Sequence, residues 1–347
     1  MRIHIRTDAS NEIGSGHVMR CLTLADELKS QANVAFICKE TKGNLIAYIH
    51  SRGYPVHVVP CQDDSWEEDA RHTIAYLHRW QKKATWLIVD HYGLDARYEA
   101  VVHPCARKIM VIDDLANRPH RCDLLLDQNL YDHPEERYSK LVMPDTKLRL
   151  GPRYALLKPD FAAAKTFVNR SDEVVSLLVS FGGADPTGET IKTLQAVKQL
   201  EERHPGKLSA KVLTGKINAQ AERIRALCGE LDNVQCVDHA ENMAELMSEA
   251  DLAIGSGGTT TWERCCLGLP AIVIMTAENQ VELSECASKN NLIALLGRAE
   301  DVRAEHIRDK VLEFIRNVEL RTTMSSRGKE LVDGLGAGRM MKELMKC

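Results

Sequence analysis

Short apolar runs, each long enough for one buried strand, alternate with helix-patterned segments along nearly the whole chain, and that alternation leaves few folds open. In the first half the expected strands are Arg2–Thr7, Val34–Cys38, Pro55–Val59, Trp86–Asp90, Lys108–Asp113 and Leu124–Asp127. Helical patterns fall between them at His17–Lys29, Leu45–Ser51, Trp66–Trp80 and Asp95–His103. A second series has strands at Val174–Ser180, Lys211–Leu213, Val234–Val237, Leu252–Ile254, Ala271–Met275 and Leu292–Leu296, again with helices between. Continuous apolar strands joined through helices require a parallel sheet covered on both faces. Between the series, Leu148–Phe161 carries Gly151, Pro152 and Pro159 and reads as a boundary. The 347 residues are too many for one ordinary core. We therefore expect an α/β protein of two doubly wound parallel-sheet domains, residues 1–155 and 156–347. Such sheets bind ligands beyond the carboxyl ends of their strands, so a cleft between the domains is the expected site.

Composition narrows the function. A net charge of -4 argues against a nucleic-acid-binding surface. No apolar run reaches the eighteen or so residues of a membrane span, and no secretory signal opens the chain. The eleven cysteines are scattered, odd in number and without a Cys-x-x-Cys pair. They read as reduced thiols of a cytoplasmic protein. The histidines are equally dispersed, so no metal and no cofactor is expected. The chain is expected to act as a monomer without membrane or nucleic-acid partners.

Three loops carry candidate chemistry. The first strand runs into a polar loop closing on Gly14-Ser15-Gly16, with His17 at the helix start that follows. Glycines there allow a tight turn and close approach of a ligand. A helix start favours an anion, and an imidazole beside it is a candidate acid or base. Asp8 either orients His17, as carboxylates do for catalytic imidazoles, or stiffens the loop. At the end of another first-half strand stand Asp90, His91 and Tyr92, which either contact substrate and water or cap a turn. Asp113 and Asp114 are adjacent, so in a strand their side chains point oppositely, which makes them mainly structural.

The second half offers Phe181-Gly182-Gly183-Ala184-Asp185-Pro186, Gly255-Ser256-Gly257-Gly258-Thr259-Thr260-Thr261-Trp262-Glu263, and Thr276-Ala277-Glu278-Asn279-Gln280. Gly182, Gly183, Gly257, Gly258, Thr259 and Thr260 supply backbone and hydroxyl donors suited to phosphate oxygens. The alternative is a set of turns that only pack helix on strand. Without the Gly-Lys-Ser/Thr ending of a P-loop, a nucleotide-sugar diphosphate fits better than ATP. Glu263, one turn into its helix, is placed for a ribose hydroxyl pair or for the helix dipole. Asn279 and Gln280 complete the nucleotide-binding candidates.

These motifs, together with Val89-Asp-His-Tyr-Gly-Leu-Asp95, Ile112-Asp-Asp-Leu-Ala116, Leu125-Leu-Asp-Gln-Asn129 and Gly151-Pro-Arg-Tyr-Ala-Leu-Leu157, resemble the UDP-2,4-diacetamido-2,4,6-trideoxy-β-L-altropyranose hydrolases of pseudaminic acid biosynthesis. The second half is also similar to the nucleotide-binding half of the peptidoglycan N-acetylglucosaminyltransferase. The resemblance implies two Rossmann-like domains of the glycosyltransferase-B type. It also implies metal-free hydrolysis of a UDP-sugar to free sugar and UDP, with His17 as general base on a water attacking the anomeric carbon with inversion. Transfer of the sugar to an acceptor is the rival activity, and a non-catalytic nucleotide-sugar-binding protein a third reading.

Overall fold

Hydrophobic strands of five to seven residues dominate both halves, and the chain sorts them into two wholly parallel sheets. The computed structural model describes residues 1–346 except 61–64, 81, 172, 204, 216–217, 239 and 241. The first sheet contains β1 (Arg2–Thr7), β2 (Asn33–Lys39), β3 (Val56–Val59), β4 (Ala84–Asp90), β5 (Ala106–Ile112), β6 (Leu124–Asp127) and β7 (Lys147–Leu150). Their spatial order is β3-β2-β1-β4-β5-β6-β7. The order reverses between β1 and β4, whose register sets Thr7 beside Asp90 at the carboxyl ends. That reversal point is where open α/β sheets bind ligands.

The second sheet contains β8 (Ser176–Ser180), β9 (Ser209–Leu213), β10 (Val234–Val237), β11 (Leu252–Ser256), β12 (Ala271–Met275) and β13 (Ala294–Arg298). Their order is β10-β9-β8-β11-β12-β13, so the switch lies between β8 and β11. Both glycine-rich turns of this half leave from those two strands. Strands β11 and β12 are buried along their length, as a sheet covered on both faces requires.

The chain divides into one unit of Met1–Leu157 with Leu335–Cys347 and another of Lys158–Gly334. This corrects the expected second domain of 156–347. The terminal helix Gly336–Met345 carries an apolar stripe of Ala337, Met340 and Leu344, all buried in the first unit's core with Ile3, Leu24 and Leu28. Trp86 Nε1 donates to the carbonyl of Leu344 at 3.0 Å, and Arg149 pairs with Glu343 at 2.7 Å. Burial of the Met340 and Leu344 side chains is worth about 1.5–3 kcal/mol each, which ties the chain's end to the first sheet.

Strand β7 was not expected. Its Lys147-Leu-Arg-Leu150 alternation forms an edge strand inside what reads as a boundary. The described cysteines are free thiols, mostly buried, and Cys61 and Cys347 lie outside the described residues. Among the described residues no helix is long and apolar enough to cross a membrane.

Candidate functional site

Strand β1 delivers the chain into a self-contained turn. The Ser10 hydroxyl accepts from the backbone N–H of Glu12 and Ile13, and Gly14 N–H donates to Ser10 O at 2.9 Å. Gly14 sits at φ +73°, a conformation a side chain would strain. Helix Gly16–Leu28 follows Ser15, which is exposed and makes no side-chain cap.

His17 is the first buried side chain of this helix, 6% exposed. Its Nδ1 lies 2.6 Å from Asp90 Oδ1. Arg20, one turn on, forks the same carboxylate, Nε to Oδ2 and Nη2 to Oδ1, both at 2.7 Å. The Cys21 thiol approaches Oδ2 at 3.4 Å. Asp90 is fully buried, which alone would raise its pKa, yet Arg20 and His17 hold the carboxyl well below the usual range. An ionised carboxylate only accepts, so the proton between Asp90 and His17 belongs to Nδ1. In the neutral imidazole the opposite nitrogen, Nε2, then carries the lone pair. Tyr92 meets the imidazole edge-on, 4.4 Å between ring centres.

This geometry corrects two expectations. Asp8 does not orient His17. It is saturated by Arg6 Nη1 at 2.5 Å, Arg6 Nη2 at 2.8 Å and the Lys39 backbone N–H at 2.7 Å, and pairs with His91 at 3.2 Å. Burial opposes its charge, but Arg6 and His91 keep it strongly acidic. Asp90, expected to touch substrate, is instead enclosed as the partner of His17.

His91 is corrected as well. Its Nδ1 accepts from Gly93 N–H at 3.0 Å while Nε2 faces Asp8. Both ring nitrogens are engaged, so His91 offers a ligand no ring nitrogen. Arg118 braces the same turn, donating to His91 O at 3.1 Å and Leu94 O at 2.9 Å while pairing with Asp113 at 2.8 Å. Tyr92 is thereby held against His17. Asp113 and Asp114 lie just past β5 and take different partners: Asp113 pairs with Arg118, whereas Asp114 pairs with Arg20 at 2.8 Å and so belongs to the site's support.

In the second unit the two glycine turns differ. After β8, Asp185 accepts from the backbone N–H of Glu189 at 3.0 Å and of Thr190 at 2.9 Å, so this helix start already holds a carboxylate. Gly182 turns at φ +82°. Gly183 is overlaid by Gly215, and a Cβ on Gly215 would fall 2.0 Å from the Gly183 carbonyl oxygen. The close approach calls for glycine at 215, and the positive φ favours glycine at 182.

After β11 the start is open. Thr259 makes no side-chain cap for helix Thr260–Cys266. The N–H groups of Thr261 and Trp262 are spent on Gly258 O and Thr259 O, leaving the partly exposed Thr259 and Thr260 as the polar rim. Gly257 is required by close approach, because a Cβ there would lie 2.5 Å from Ser284 Oγ. Glu263 is half-buried, and no ion pair reaches it among the described residues. Burial pushes its carboxyl up to about 7, despite Arg264 and Lys158 nearby. Arg264 itself turns inward to Ser256 O at 2.8 Å. Gln280 folds back on Thr276 N–H at 3.0 Å, and Asn279 is exposed in the 3-10 turn Glu278–Gln280. No group of three or more His, Cys, Asp or Glu suited to a metal occurs among the described residues.

Arg20, Arg118 and Asp185 were missed by sequence reasoning, and Asp114 was read as mainly structural. Only Arg20 carried a signal, since three residues after His17 it shares the same helix face.

Parallel sheets of this order, each with its switch-point turns, define a pair of Rossmann-like units of the glycosyltransferase-B fold. The solved structure of Acinetobacter baumannii MurG has that fold, with a TM-score of 0.71 over 100% of this chain and 99% of that one at 13% identity. Residues 177–335 match the model of the glycosyltransferase family 28 C-terminal domain. The chain is 25% identical over 341 residues to the spore coat polysaccharide biosynthesis protein SpsG of Bacillus subtilis, covering 98% of this chain and 96% of that protein. It is 29% identical over 283 residues to the UDP-2,4-diacetamido-2,4,6-trideoxy-β-L-altropyranose hydrolase of Campylobacter jejuni, covering 81% of this chain and 93% of that protein.

Proposed function

We propose that this chain is a cytoplasmic enzyme that hydrolyses a UDP-linked 2,4-diacetamido-2,4,6-trideoxy hexose of the altrose type to free sugar and UDP, in pseudaminic acid biosynthesis. The observation that carries the reading is the 2.6 Å contact of His17 Nδ1 with a buried, ionised Asp90, which leaves Nε2 as a base. Nε2 takes a proton from water as the water oxygen bonds to C1. The C1–O bond to the diphosphate breaks, UDP leaves with the electron pair, and the configuration at C1 inverts. The proton then passes from His17 to solvent. General-base assistance of this kind is worth about 10²–10⁴-fold. Gly257, Gly258, Thr259 and Thr260 hold the diphosphate, and Glu263 in its ionised form accepts from the ribose hydroxyls. The named C. jejuni relative supports the substrate.

The match of residues 177–335 to a glycosyltransferase domain favours a second reading, transfer of the sugar to an acceptor. Incubation with the UDP-sugar alone separates the two. Free sugar and UDP accumulating in the NMR spectrum without acceptor, at a rate unchanged by EDTA, supports the hydrolase. A UDP-sugar that stays intact until an acceptor is added refutes it.

A further inference from the structure

Arg20 is a charged side chain taken out of water, 5% exposed, and every edge of its guanidinium is used. Nε and Nη2 grip both oxygens of Asp90 at 2.7 Å, while Nη1 is held by Asp114 at 2.8 Å. Nη2 also lies 3.1 Å from His17 Nδ1. That approach of two nitrogens follows from their sharing one acceptor, Asp90 Oδ1. The geometry points to Arg20 as the positioning residue that decides which nitrogen of His17 carries the proton, with Asp114 holding its far edge. This rests on the assignment of His17 as the base.

The physical argument is one of charge in a dry place. A fully buried carboxylate with no cation beside it takes up a proton, because burial penalises the charged form. A protonated Asp90 would donate to Nδ1 and drive the imidazole proton to Nε2, removing the lone pair that the reaction needs. Arg20 keeps Asp90 ionised, so Nδ1 remains the donor. Only a planar guanidinium can grip both Asp90 oxygens and still reach Asp114, since lysine is a point charge. Asp114 fixes the fork's orientation by taking the one edge that Asp90 leaves free.

The test uses the whole chain labelled with 15N-histidine, without substrate, at a pH where His17 is neutral. Two-bond 15N–1H correlations read the tautomer. The wild type is expected to carry the proton on Nδ1, and a proton on Nε2 in the wild type overturns the proposal without any variant. Arg20→Gln removes the charge that keeps Asp90 ionised. It is expected to populate both tautomers and to lower kcat by roughly tenfold or more with KM within about threefold, since a misplaced imidazole proton is costly to catalysis. Arg20→Gln with a pure Nδ1–H signal and unchanged kcat overturns the proposal. The tautomer is read in the absence of UDP-sugar, so a protein that hydrolyses none refutes the hydrolase reading while the positioning result stands by itself.

Discussion

Replacing Glu263 by Gln should weaken UDP binding and stabilise the fold at the same time. The carboxyl is half-buried without an ion-pair partner among the described residues, and burial raises its pKa from 4.5 to about 7. The folded protein therefore holds the proton more tightly than the unfolded chain. A raised acid of this kind costs nothing below pH 4.5 and destabilises increasingly as pH climbs through the window to 7. One pKa unit corresponds to about 1.4 kcal/mol, so above pH 7 the ionised group costs at most about 3 kcal/mol. Glutamine has nearly the same shape and no charge, and removes that cost. In the nucleotide complex the ionised oxygens accept from ribose hydroxyls, and charge-assisted bonds are worth about 1.5–3 kcal/mol. Loss of the charge should weaken UDP by roughly ten- to a hundredfold. Titration calorimetry and thermal melts at pH 8 read both quantities. The expected variant has a higher Tm and weaker UDP binding, with diphosphate affinity unchanged. Wild-type affinity for UDP in Glu263→Gln would refute the ribose contact, and a lowered Tm would refute the buried-charge argument.

Other consequences follow from single side chains. His17→Ala should lower turnover by about a hundredfold or more while leaving UDP affinity in calorimetry nearly intact; a change confined to KM would assign the base elsewhere. His120 is buried with Nδ1 2.7 Å from Glu99, and although burial opposes its charge, Asp113 and Glu99 raise it to about 9. A raised histidine stabilises fully below its ordinary 6.5 and loses that contribution as pH rises through about 9. Wild-type Tm should fall across that window by more than the Tm of His120→Gln, the difference reflecting about 3 kcal/mol; parallel curves would refute it. Leu344→Ala should cost about 2–5 kcal/mol of the first unit's stability in denaturant titration, because its side chain is fully buried there. No loss would return the terminal helix to the second unit.

Strand existence and sheet type were readable because short apolar runs between helical patterns admit few alternatives. The terminal helix was not placed, since the stripe Ala337, Met340, Leu344 declares that it needs a core and not which one. Strand β7 hid among glycine and proline signals that mark turns more strongly than four alternating residues mark an edge strand. At the site, His17 was visible from its place after the Gly14–Gly16 turn, but its partner was misjudged. Asp8 is close in sequence and Asp90 is distant, and only the pairing of Thr7 with Asp90 across β1 and β4 brings the second one in. His91 looked like a substrate contact because a sequence cannot show that Gly93 N–H and Asp8 already occupy its nitrogens. Asp185 capping Glu189 and Thr190 closes one helix start that composition alone would leave open to phosphate.

The central claim is that water, activated at His17, attacks carbon and not phosphorus. Hydrolysis of UDP-2,4-diacetamido-2,4,6-trideoxy-β-L-altropyranose in water enriched with 18O reads this directly by mass spectrometry of the nucleotide product. Attack at C1 leaves the leaving-group oxygen on UDP, so the account predicts UDP without label and wild-type turnover far above that of His17→Ala. Label in the UDP phosphates, or release of UMP, would place the bond cleavage at phosphorus and contradict the account.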